Sequence, residues 1–356
     1  MTIDLKAGVR AIYYYGMNYH HHYSHFKLAN RILNSIEGRK GKTCGRDIKL
    51  CDEYAVDVLG HKNFAPWLYV YSAISGEFKK GWIPDNYYGA IVVPRLQGSY
   101  RAVSALNPLN SAIFQSDLFP DLLSHANGIF FDTTYRFVPM KAVRDRLFEN
   151  HDQVVFKLDN SQKGRGIHVF NRDSFEIQHI SKLGNGLFQG YIKQHALFDE
   201  FQRNSVTTIR ITTVYDDSGA VSVRAGHLKM GSGTETHVQS TSSIKVPFDL
   251  KNGKLNDYGF TAEWAEIKSH PISRVPFSGK VIPAYLECIC AVTELHKKVP
   301  YIRCIGWDLT VDIDENVRLI EWNGGHNDIK FSEATQGPCF ADLGWTQLNT
   351  GRGLQK

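Results

Sequence analysis

The stretch DLTVDIDENVRLIEWN, residues 308–323, holds five carboxylates and ends in an asparagine. Two apolar flanks surround a polar centre, which is the pattern of a β-hairpin. Side chains two apart on a strand share a face, so Glu321 and Asn323 share one. A tight turn centred between Asp314 and Glu315 places Asp308 directly opposite Glu321, and a turn shifted by one residue places it opposite Asn323.

These three side chains suit a magnesium site. Mg²⁺ prefers oxygen ligands on a rigid frame, with room left for water and phosphate. Two carboxylates and an amide converging from adjacent strands offer that chemistry, so we predict that Asp308, Glu321 and Asn323 bind metal. The acids between them, Asp312, Asp314 and Glu315, are predicted to be solvated turn residues.

A calcium-binding loop is excluded, although Asp312-Ile-Asp314-Glu-Asn316 imitates the opening of an EF-hand. That loop requires glycine at its sixth position and glutamate at its twelfth. The residues at those positions are Val317 and Asn323.

Composition bounds the class of protein. The 356 residues are 42% hydrophobic and 22% charged, as in an ordinary globular protein of two or three subdomains. The net charge is +5, and residues 1–50 alone carry nine Lys and Arg against three acids. This local excess suits an anionic ligand but is too small to indicate nucleic acid. Scattered cysteines, no membrane-length apolar run and no signal-like N-terminus predict a cytoplasmic protein without membrane insertion.

The order of apolar segments predicts three regions. Residues 1–105 are expected to form a small α/β domain, with a helix over 26–38 capped by Gly38 and a buried strand over AIVV (90–93). Residues 106–186 and 187–356 are expected to form two α+β subdomains with antiparallel sheets. In the last one, a single long helix is predicted to bury the face formed by Ile282, Leu286, Ile289, Val292 and Leu295.

A second motif lies in QVVFKLDNSQKGRGIHVF, residues 153–170. Lys157 ends a buried strand, and a basic, glycine-containing turn precedes the next strand. Glycines let backbone N–H groups approach phosphate oxygens closely. A rival phosphate loop, GRKGKT at 38–43, has two residues between its glycines where a Walker A motif has four, and it follows a predicted helix rather than a strand.

Together these motifs resemble the ATP-grasp superfamily. The resemblance rests on the strand lysine with its glycine-rich hairpin, on the segment from Gln189 to Gln194, and on the spacing acid-x12-Glu-x-Asn. Within the superfamily, SVTTIRITTVY followed by HLKMG is most similar to the sugar-transfer associated branch. The resemblance implies an ATP-grasp fold, in which two α+β subdomains grip ATP between antiparallel sheets.

The resemblance also implies roles for individual residues. Asp308, Glu321 and Asn323 would hold two Mg²⁺ ions, and Arg210 would face the γ-phosphate of ATP. Lys229 would orient a carboxylate or phosphate, although a solvated strand lysine explains it equally well. The nucleotide would be bound by a phosphate lysine, a lid and an adenine slot, formed by Lys157, Lys163, Gly164, Arg165, Gly166, Gln189, Tyr191 and Ile192.

Two positions depart from the family pattern. The superfamily commonly has a nucleotide-binding lysine upstream, where this sequence has Ser111, and Arg101 is a candidate substitute. The branch commonly has asparagine before Thr-x-Arg, where this sequence has Thr207. A separate pair, His21 and His25, has the i, i+4 spacing of metal ligands but no evident third ligand.

The implied activity is an ATP- and magnesium-dependent ligase that joins a carboxylate to an amine through an acyl phosphate. The branch suggests polysaccharide or cell-surface glycan biosynthesis, with a substrate such as an amino acid joined to a uronic acid or amino sugar. Two alternatives keep the fold. One is an ATP-dependent kinase of a small hydroxyl substrate such as a sugar, and the other is a non-catalytic nucleotide-binding partner of a glycosyltransferase system.

Overall fold

The structure, a computed structural model, describes residues 5–159, 166–233 and 243–350, with side chains from residue 20 to residue 349. The chain divides into two compact units. The first comprises residues 1–98, 263–265 and 328–356, and the second comprises residues 99–262 and 266–327. Among the described helices, none combines the length and hydropathy that crossing a membrane requires.

The described part of the first unit is helical. Its helices are α1 (Leu5–Lys40), α2 (Gly45–Asp57), α3 (Ala65–Ser75), α4 (Asp85–Tyr87), a π-turn (Tyr88–Val92), α5 (Val93–Leu96) and α11 (Lys330–Gln336). The helix predicted over residues 26–38 lies within α1, where Ala29, Ile32 and Ile36 are buried at helical spacing. Helix α3 ends at Gly76, whose φ of +83° is a left-handed conformation that glycine adopts without steric strain.

Two predictions in this unit are wrong. The AIVV segment is helical, and no described residue of the unit lies in a strand, so its expected α/β character is not observed. A four-residue apolar run carries too little periodicity to separate strand from helix, whereas Pro84 and Asp85 just upstream are helix-start residues. Gly38 does not cap α1, because the helix continues to Lys40 and Gly41 takes the left-handed φ of +89°.

The second unit contains two antiparallel sheets. The first has the order β3-β2-β1-β6-β4-β5. Its strands are β1 (Asp121–Ala126), β2 (Ile129–Asp132), β3 (Phe137–Val138), β4 (Gln153–Leu158), β5 (Ile167–Asn171) and β6 (Gly186–Gly190). Its helices are α6 (Asn110–Phe114), α7 (Met140–Leu147) and α8 (Ile177–Leu183).

One face of this first sheet is apolar. Leu123, Phe156 and Phe188 are cross-strand neighbours on it and form a core with Val143 of α7 and Ile180 of α8. Alternation along β4 and β6 therefore turns Lys157 and Gln189 to the opposite face. The predicted boundary between residues 186 and 187 falls inside β6, which pairs with both β1 and β4.

The second sheet has the order β11-β10-β9-β8-β7-β12-β13. Its strands are β7 (Thr208–Tyr215), β8 (Val221–Met230), β9 (Ile244–Pro247), β10 (Gly259–Phe260), β11 (Glu266–Ile267), β12 (Cys304–Val311) and β13 (Val317–Asn323). Helices α9 (Ala196–Phe201) and α10 (Tyr285–Lys297) belong to the same unit.

Helix α10 covers the apolar face of the second sheet. Val292 and Leu295 are buried, as predicted, in a core that also holds Ile209 and Trp307. Leu286 is the exception, since 69% of it is exposed. Tyr285 and Cys288 take the buried positions instead, so the predicted apolar face was displaced by one residue along the first turn.

Candidate functional site

The hairpin of β12 and β13 pairs Asp308 with Glu321, as its sequence predicts, but by a different route. The turn has three residues, 313–315, and Glu315 takes the left-handed φ of +63° typical of such loops. Counting from this turn alone, Asp308 would face Ile320. A β-bulge between Leu309 and Asp308 leaves Ile320 without a partner and moves Glu321 into register. The bulge thus puts both carboxylates on one face.

A row of polar side chains crosses four strands at this level. Glu321, Asp308, Arg210 and His227 are successive cross-strand partners on β13, β12, β7 and β8. Cross-strand partners share a face, so the four side chains lie on the face opposite the core that α10 covers. One face of the sheet is therefore apolar, and the other face changes from acidic side chains on β13 and β12 to basic side chains on β7 and β8.

Arg210 forms a bidentate ion pair with Asp308. Its Nε donates to Asp308 Oδ1 at 2.5 Å and its Nη2 donates to Oδ2 at 2.8 Å. Its Nη1 lies 3.4 Å from the carbonyl oxygen of Asn327. Burial by itself would lower the pKa of Arg210, but the Asp308 carboxylate outweighs it and raises that pKa. The guanidinium is a fixed cation beside the acidic pair.

Glu321 differs from Asp308, because no described residue donates a hydrogen bond to its carboxylate. Its side chain reaches solvent, although neighbouring protein atoms desolvate the carboxylate in part. That surrounding protein raises the pKa of Glu321, and the nearby Asp308 carboxylate raises it further, while Lys157 and Arg210 oppose the shift. A carboxylate held beside another without its own partner is a site for a cation.

The residues present fit a divalent cation. Asn323 donates its Nδ2 to the Gly306 carbonyl oxygen at 3.4 Å, which leaves its Oδ1 as an acceptor. Each Asp308 oxygen keeps a lone pair that Arg210 does not use. The donor set is two carboxylates and one amide, all oxygen, as Mg²⁺ prefers. Throughout the described residues, no group of three or more His, Cys, Asp or Glu side chains is arranged to hold a metal.

Lys157 links the first sheet to this row. Its Nζ donates to the carbonyl oxygen of Ile320 at 3.1 Å, the residue that the bulge leaves without a strand partner. Burial lowers the pKa of Lys157, and the carboxylates of Glu321, Asp121 and Asp308 oppose that shift. The lysine therefore lies at the acidic end of the row.

Gln189 lies on the same face of the first sheet as Lys157 and is only 3% exposed. Its Nε2 donates to Asp121 Oδ1 at 2.6 Å. Asp121 reaches it because a bulge at Leu122 separates the pair Asp121–Gln189 from the core pair Leu123–Phe188. Burial raises the pKa of Asp121, while hydrogen bonds from Gln189 and Asn110 and the charge of Lys157 favour its ionised form.

The opposite end of the row is basic. Lys229 follows His227 by two residues on β8 and is the cross-strand partner of Lys245 on β9. Burial lowers the pKa of Lys229; Asp308 opposes that shift, whereas Arg210 and Lys245 reinforce it. Like charges on directly opposed residues destabilise a sheet. Lys229 thus lies at the basic end of the row beside a second lysine, Lys245, that sequence reasoning missed.

A family model described as sugar-transfer associated ATP-grasp matches residues 110–341, well over half of the chain. The chain belongs to this family. The range matched by the sugar-transfer associated ATP-grasp model contains every predicted site residue and the thirteen strands found among the described residues. The resemblance carried by the strand lysine and the acidic hairpin is confirmed, as is the fold of two antiparallel sheets with helices.

None of the curated proteins matches the chain. Among solved structures, the biotin carboxylase domain of Hydrogenobacter thermophilus 2-oxoglutarate carboxylase, with MgADP, ADP and bicarbonate, is 15% identical at a TM-score of 0.42, covering 74% of this chain and 47% of that one. N5-carboxyaminoimidazole synthetase from Staphylococcus aureus, complexed with ADP, is 10% identical at 0.41, covering 67% and 49%. The ATP-grasp ligase PsnB, with a minimal precursor variant, Mg and ADP, is 13% identical at 0.41, covering 70% and 61%. The chain thus spans about half to three fifths of these structures' lengths.

Other residues implied by the sugar-transfer associated ATP-grasp family have varied surroundings. Tyr191 and Ile192 follow the end of β6, and the Tyr191 N–H donates to the Gln153 carbonyl oxygen at 3.2 Å. Gly166 has φ of +79°, and its carbonyl oxygen accepts from the Leu158 N–H at 3.0 Å, closing the β4–β5 hairpin. The predicted lid residues Lys163, Gly164 and Arg165 lie outside the described residues.

The structure also describes the two positions that depart from the family pattern, Ser111 and Thr207. Ser111 lies on α6, next to the buried Asn110, and Arg101 lies exposed on a 3₁₀-helix (Gly98–Ala105). Thr207 is fully buried, and its N–H donates to Gln194 Oε1 at 2.7 Å. Thr207 therefore supports the segment before β7 rather than facing solvent.

Asp312 is not the solvated turn residue that the sequence predicts. It is 8% exposed, accepts from the N–H groups of Asp314 and Asn316, and pairs with Arg318 Nε at 2.8 Å. These bonds lower the pKa of Asp312, although burial alone would raise it. Asp312 therefore holds the turn together, whereas Asp314 and Glu315 are exposed as predicted.

The histidines of α1 are structural in this arrangement. His25 Nδ1 accepts from Trp67 Nε1 at 3.0 Å, and His21 Nε2 lies 3.2 Å from the Asn86 carbonyl oxygen. Both imidazoles are half-buried and contact each other at a centroid distance of 4.5 Å. Each has a hydrogen-bonding partner, as expected for imidazoles that pack a helix interface.

Proposed function

We propose that this protein is an ATP- and magnesium-dependent ligase that joins a carboxylate to an amine through an acyl phosphate. The observation that carries the proposal is the polar row in which Glu321, Asp308 and Arg210 are successive cross-strand partners. It puts cation ligands and a fixed cation side by side, which is what transfer of a phosphoryl group requires.

The metal ligands in this proposal are Asp308, Glu321 and Asn323. The carboxylate of Glu321, with no described donor, would help to hold two Mg²⁺ ions. When bound, the ions would neutralise charge that spreads over the phosphoryl oxygens during transfer. Lys157 and Gly166 would contact the phosphates of ATP, and Gln189 with the backbone of Tyr191 and Ile192 would bind adenine.

The reaction balances with two substrates besides ATP. An oxygen of the substrate carboxylate attacks the γ-phosphorus, and the bond to the β,γ-bridging oxygen breaks, releasing ADP. The amine nitrogen then attacks the acyl carbon, phosphate leaves, and the amine loses a proton. Arg210 stabilises charge on the transferring phosphoryl group, and Lys229 holds the carboxylate in line by charge attraction.

The family description, sugar-transfer associated, supports a role in polysaccharide or cell-surface glycan biosynthesis. The substrates would then be a carboxylate and an amine, one of them linked to a sugar, such as an amino acid and a uronic acid or amino sugar. The six cysteines are free, as in proteins of a reducing compartment, and we place the reaction in the cytoplasm.

The test is a screen of carboxylate–amine pairs with MgATP, in which released phosphate and product mass are both measured. An amide product formed with one phosphate per turnover supports the ligase. A phosphorylated product identifies a kinase instead. Tight ATP binding without turnover of any pair contradicts catalysis and supports a nucleotide-binding partner protein.

A further inference from the structure

A chain of hydrogen bonds joins Gln189 to the metal-binding hairpin. Gln189 Nε2 donates to Asp121 Oδ1 at 2.6 Å, and Asn110 Nδ2 donates to Asp121 Oδ2 at 3.4 Å. Asn110 Oδ1 in turn accepts from Trp322 Nε1 at 2.9 Å. Trp322 stands between Glu321 and Asn323 on β13. Gln189, Asn110 and Trp322 are each at most 4% exposed, and Asp121 between them is half-buried.

The two ends of this chain allow only one direction of donation. An indole nitrogen only donates, so Trp322 requires Asn110 to present its oxygen. The amide nitrogen of Asn110 must then point to Asp121. An ionised carboxylate only accepts, so Asp121 requires the amide nitrogen of Gln189 as well. The carbonyl oxygen Oε1 of Gln189 is consequently the end left for a ligand, and no described residue donates to it.

We propose that Asp121 is a positioning residue that fixes the Gln189 amide with its oxygen toward the purine of the bound nucleotide, so that the site selects a 6-amino purine over a 6-oxo purine. The inference rests on the proposed function, in which Gln189 binds the base. Adenine presents N–H donors at C6, whereas hypoxanthine and guanine present an acceptor oxygen there. With hypoxanthine or guanine bound, Gln189 Oε1 would have no N–H donor opposite it and would face a lone pair of the C6 oxygen instead.

Binding of ATP and ITP tests the selection directly. The two nucleotides share the sugar and triphosphate, and their bases differ in the group at C6 and in protonation at N1. Titration calorimetry of the full chain with each nucleotide in excess Mg²⁺ gives the ratio of dissociation constants. We expect ATP to bind at least about fivefold more tightly than ITP, since an unpaired buried acceptor costs at least that factor. Equal affinities would overturn the inference.

Asp121→Asn provides the decisive variant, because it changes one oxygen into a donor. Asn110 is still oriented by Trp322, so residue 121 must turn its remaining oxygen to Asn110 and its new NH₂ to Gln189. The Gln189 amide then flips and presents NH₂ to the base. We expect the ITP-to-ATP ratio of dissociation constants to fall about tenfold or more, toward or past equality. An unchanged ratio would overturn the proposal.

Gln189→Met is the matched control, since it removes the amide and keeps the side-chain length. Its ratio should approach one without favouring ITP, even if the Asp121→Asn protein folds poorly. A Gln189→Met protein that discriminates as strongly as wild type would also overturn the inference. A wild-type protein that binds neither nucleotide contradicts the proposed function itself, whereas binding without discrimination contradicts only the role of Asp121.

Discussion

Arg210 holds both oxygens of the Asp308 carboxylate, at 2.5 and 2.8 Å, while no described residue donates to the adjacent Glu321. The two carboxylates are therefore unequal, although they face each other across one strand pair. Asp308 is paired with a cation of the protein, whereas the Glu321 carboxylate has no described hydrogen-bond donor and is left for an incoming cation. We therefore expect substitutions at the two positions to have different effects.

Glu321→Gln should abolish ATP turnover with little change in stability. The substitution exchanges one oxygen for an amide nitrogen, which cannot bind Mg²⁺, and leaves the packing of β13 intact. We expect at least a 100-fold loss of turnover, comparable with the loss of one transition-state donor. Asp314→Asn, on the exposed turn of the same hairpin, is the control and should retain full activity. Retained turnover in Glu321→Gln would refute the metal assignment.

Arg210→Lys should weaken both folding and catalysis. A lysine ammonium cannot donate in parallel to both oxygens of Asp308, so one charge-assisted bond is lost in a largely buried place. We expect the free energy of unfolding to fall by about 1–3 kcal/mol, measured by chemical denaturation. A stability equal to wild type would show that the bidentate pair does not stabilise the fold.

Gly306→Ala should displace the Arg210 side chain. A Cβ at Gly306 would lie 2.7 Å from Arg210 Nη1, closer than such atoms approach, and the guanidinium is the part able to move. We expect about a tenfold loss of turnover with a change in unfolding free energy below about 1 kcal/mol, because a buried methyl group partly offsets the shift. Activity equal to wild type would mean that the position of the guanidinium is not critical.

Gly186→Ala provides the contrast to that variant. Its Cβ would lie 2.4 Å from the backbone oxygen of Lys157, which cannot rotate away. This variant should lose stability as well as activity.

Stability of the first unit should decrease as the pH rises from 5 to 8. Glu333 is fully buried, and burial raises its pKa to about 7, although N–H groups of Ile83 and Cys339 donate to its two oxygens. A raised carboxyl pKa favours the protonated folded state, so the stabilisation is complete below the unfolded pKa and is lost as pH rises through the folded one. The loss amounts to about 3 kcal/mol.

Glu333→Gln is the test of that dependence. The amide cannot titrate, so denaturation midpoints of this variant should lose the downward slope between pH 5 and pH 8. Its stability should be lower than wild type at pH 5, because one backbone N–H then faces an NH₂ group. A slope that persists in the variant would assign the pH dependence to another group.

Local pattern was sufficient for much of the site. Lys157 at the end of a strand and the pairing of Asp308 with Glu321 follow from side-chain alternation over short stretches. The pairing was nevertheless predicted from a two-residue turn, and the structure reaches it with a three-residue turn plus a bulge at Ile320. Two departures from the assumed hairpin cancelled, which alternation alone does not reveal.

Other features depend on contacts that a single sequence does not display. Asp121 is 68 residues from Gln189 along the chain, and no periodic signal connects them. The helical form of AIVV depends on the helices around it, since its own residues favour a strand. Leu286 was predicted to be buried by spacing, but the first turn of α10 presents Tyr285 and Cys288 to the core instead.

The bulges at Leu122 and Ile320 decide which side chains of β1 and β13 lie on the polar face. Each inserts one unpaired residue into a strand and thereby exchanges the two faces for everything on one side of it. Deletion of either unpaired residue would remove its bulge and still leave Asp121 opposite Gln189 or Glu321 opposite Asp308, because the paired residues on its two sides would then follow each other directly. Deletion of Leu122 or Ile320 should therefore preserve the polar face, whereas deletion of the paired Trp322 should turn Asn323 toward the core.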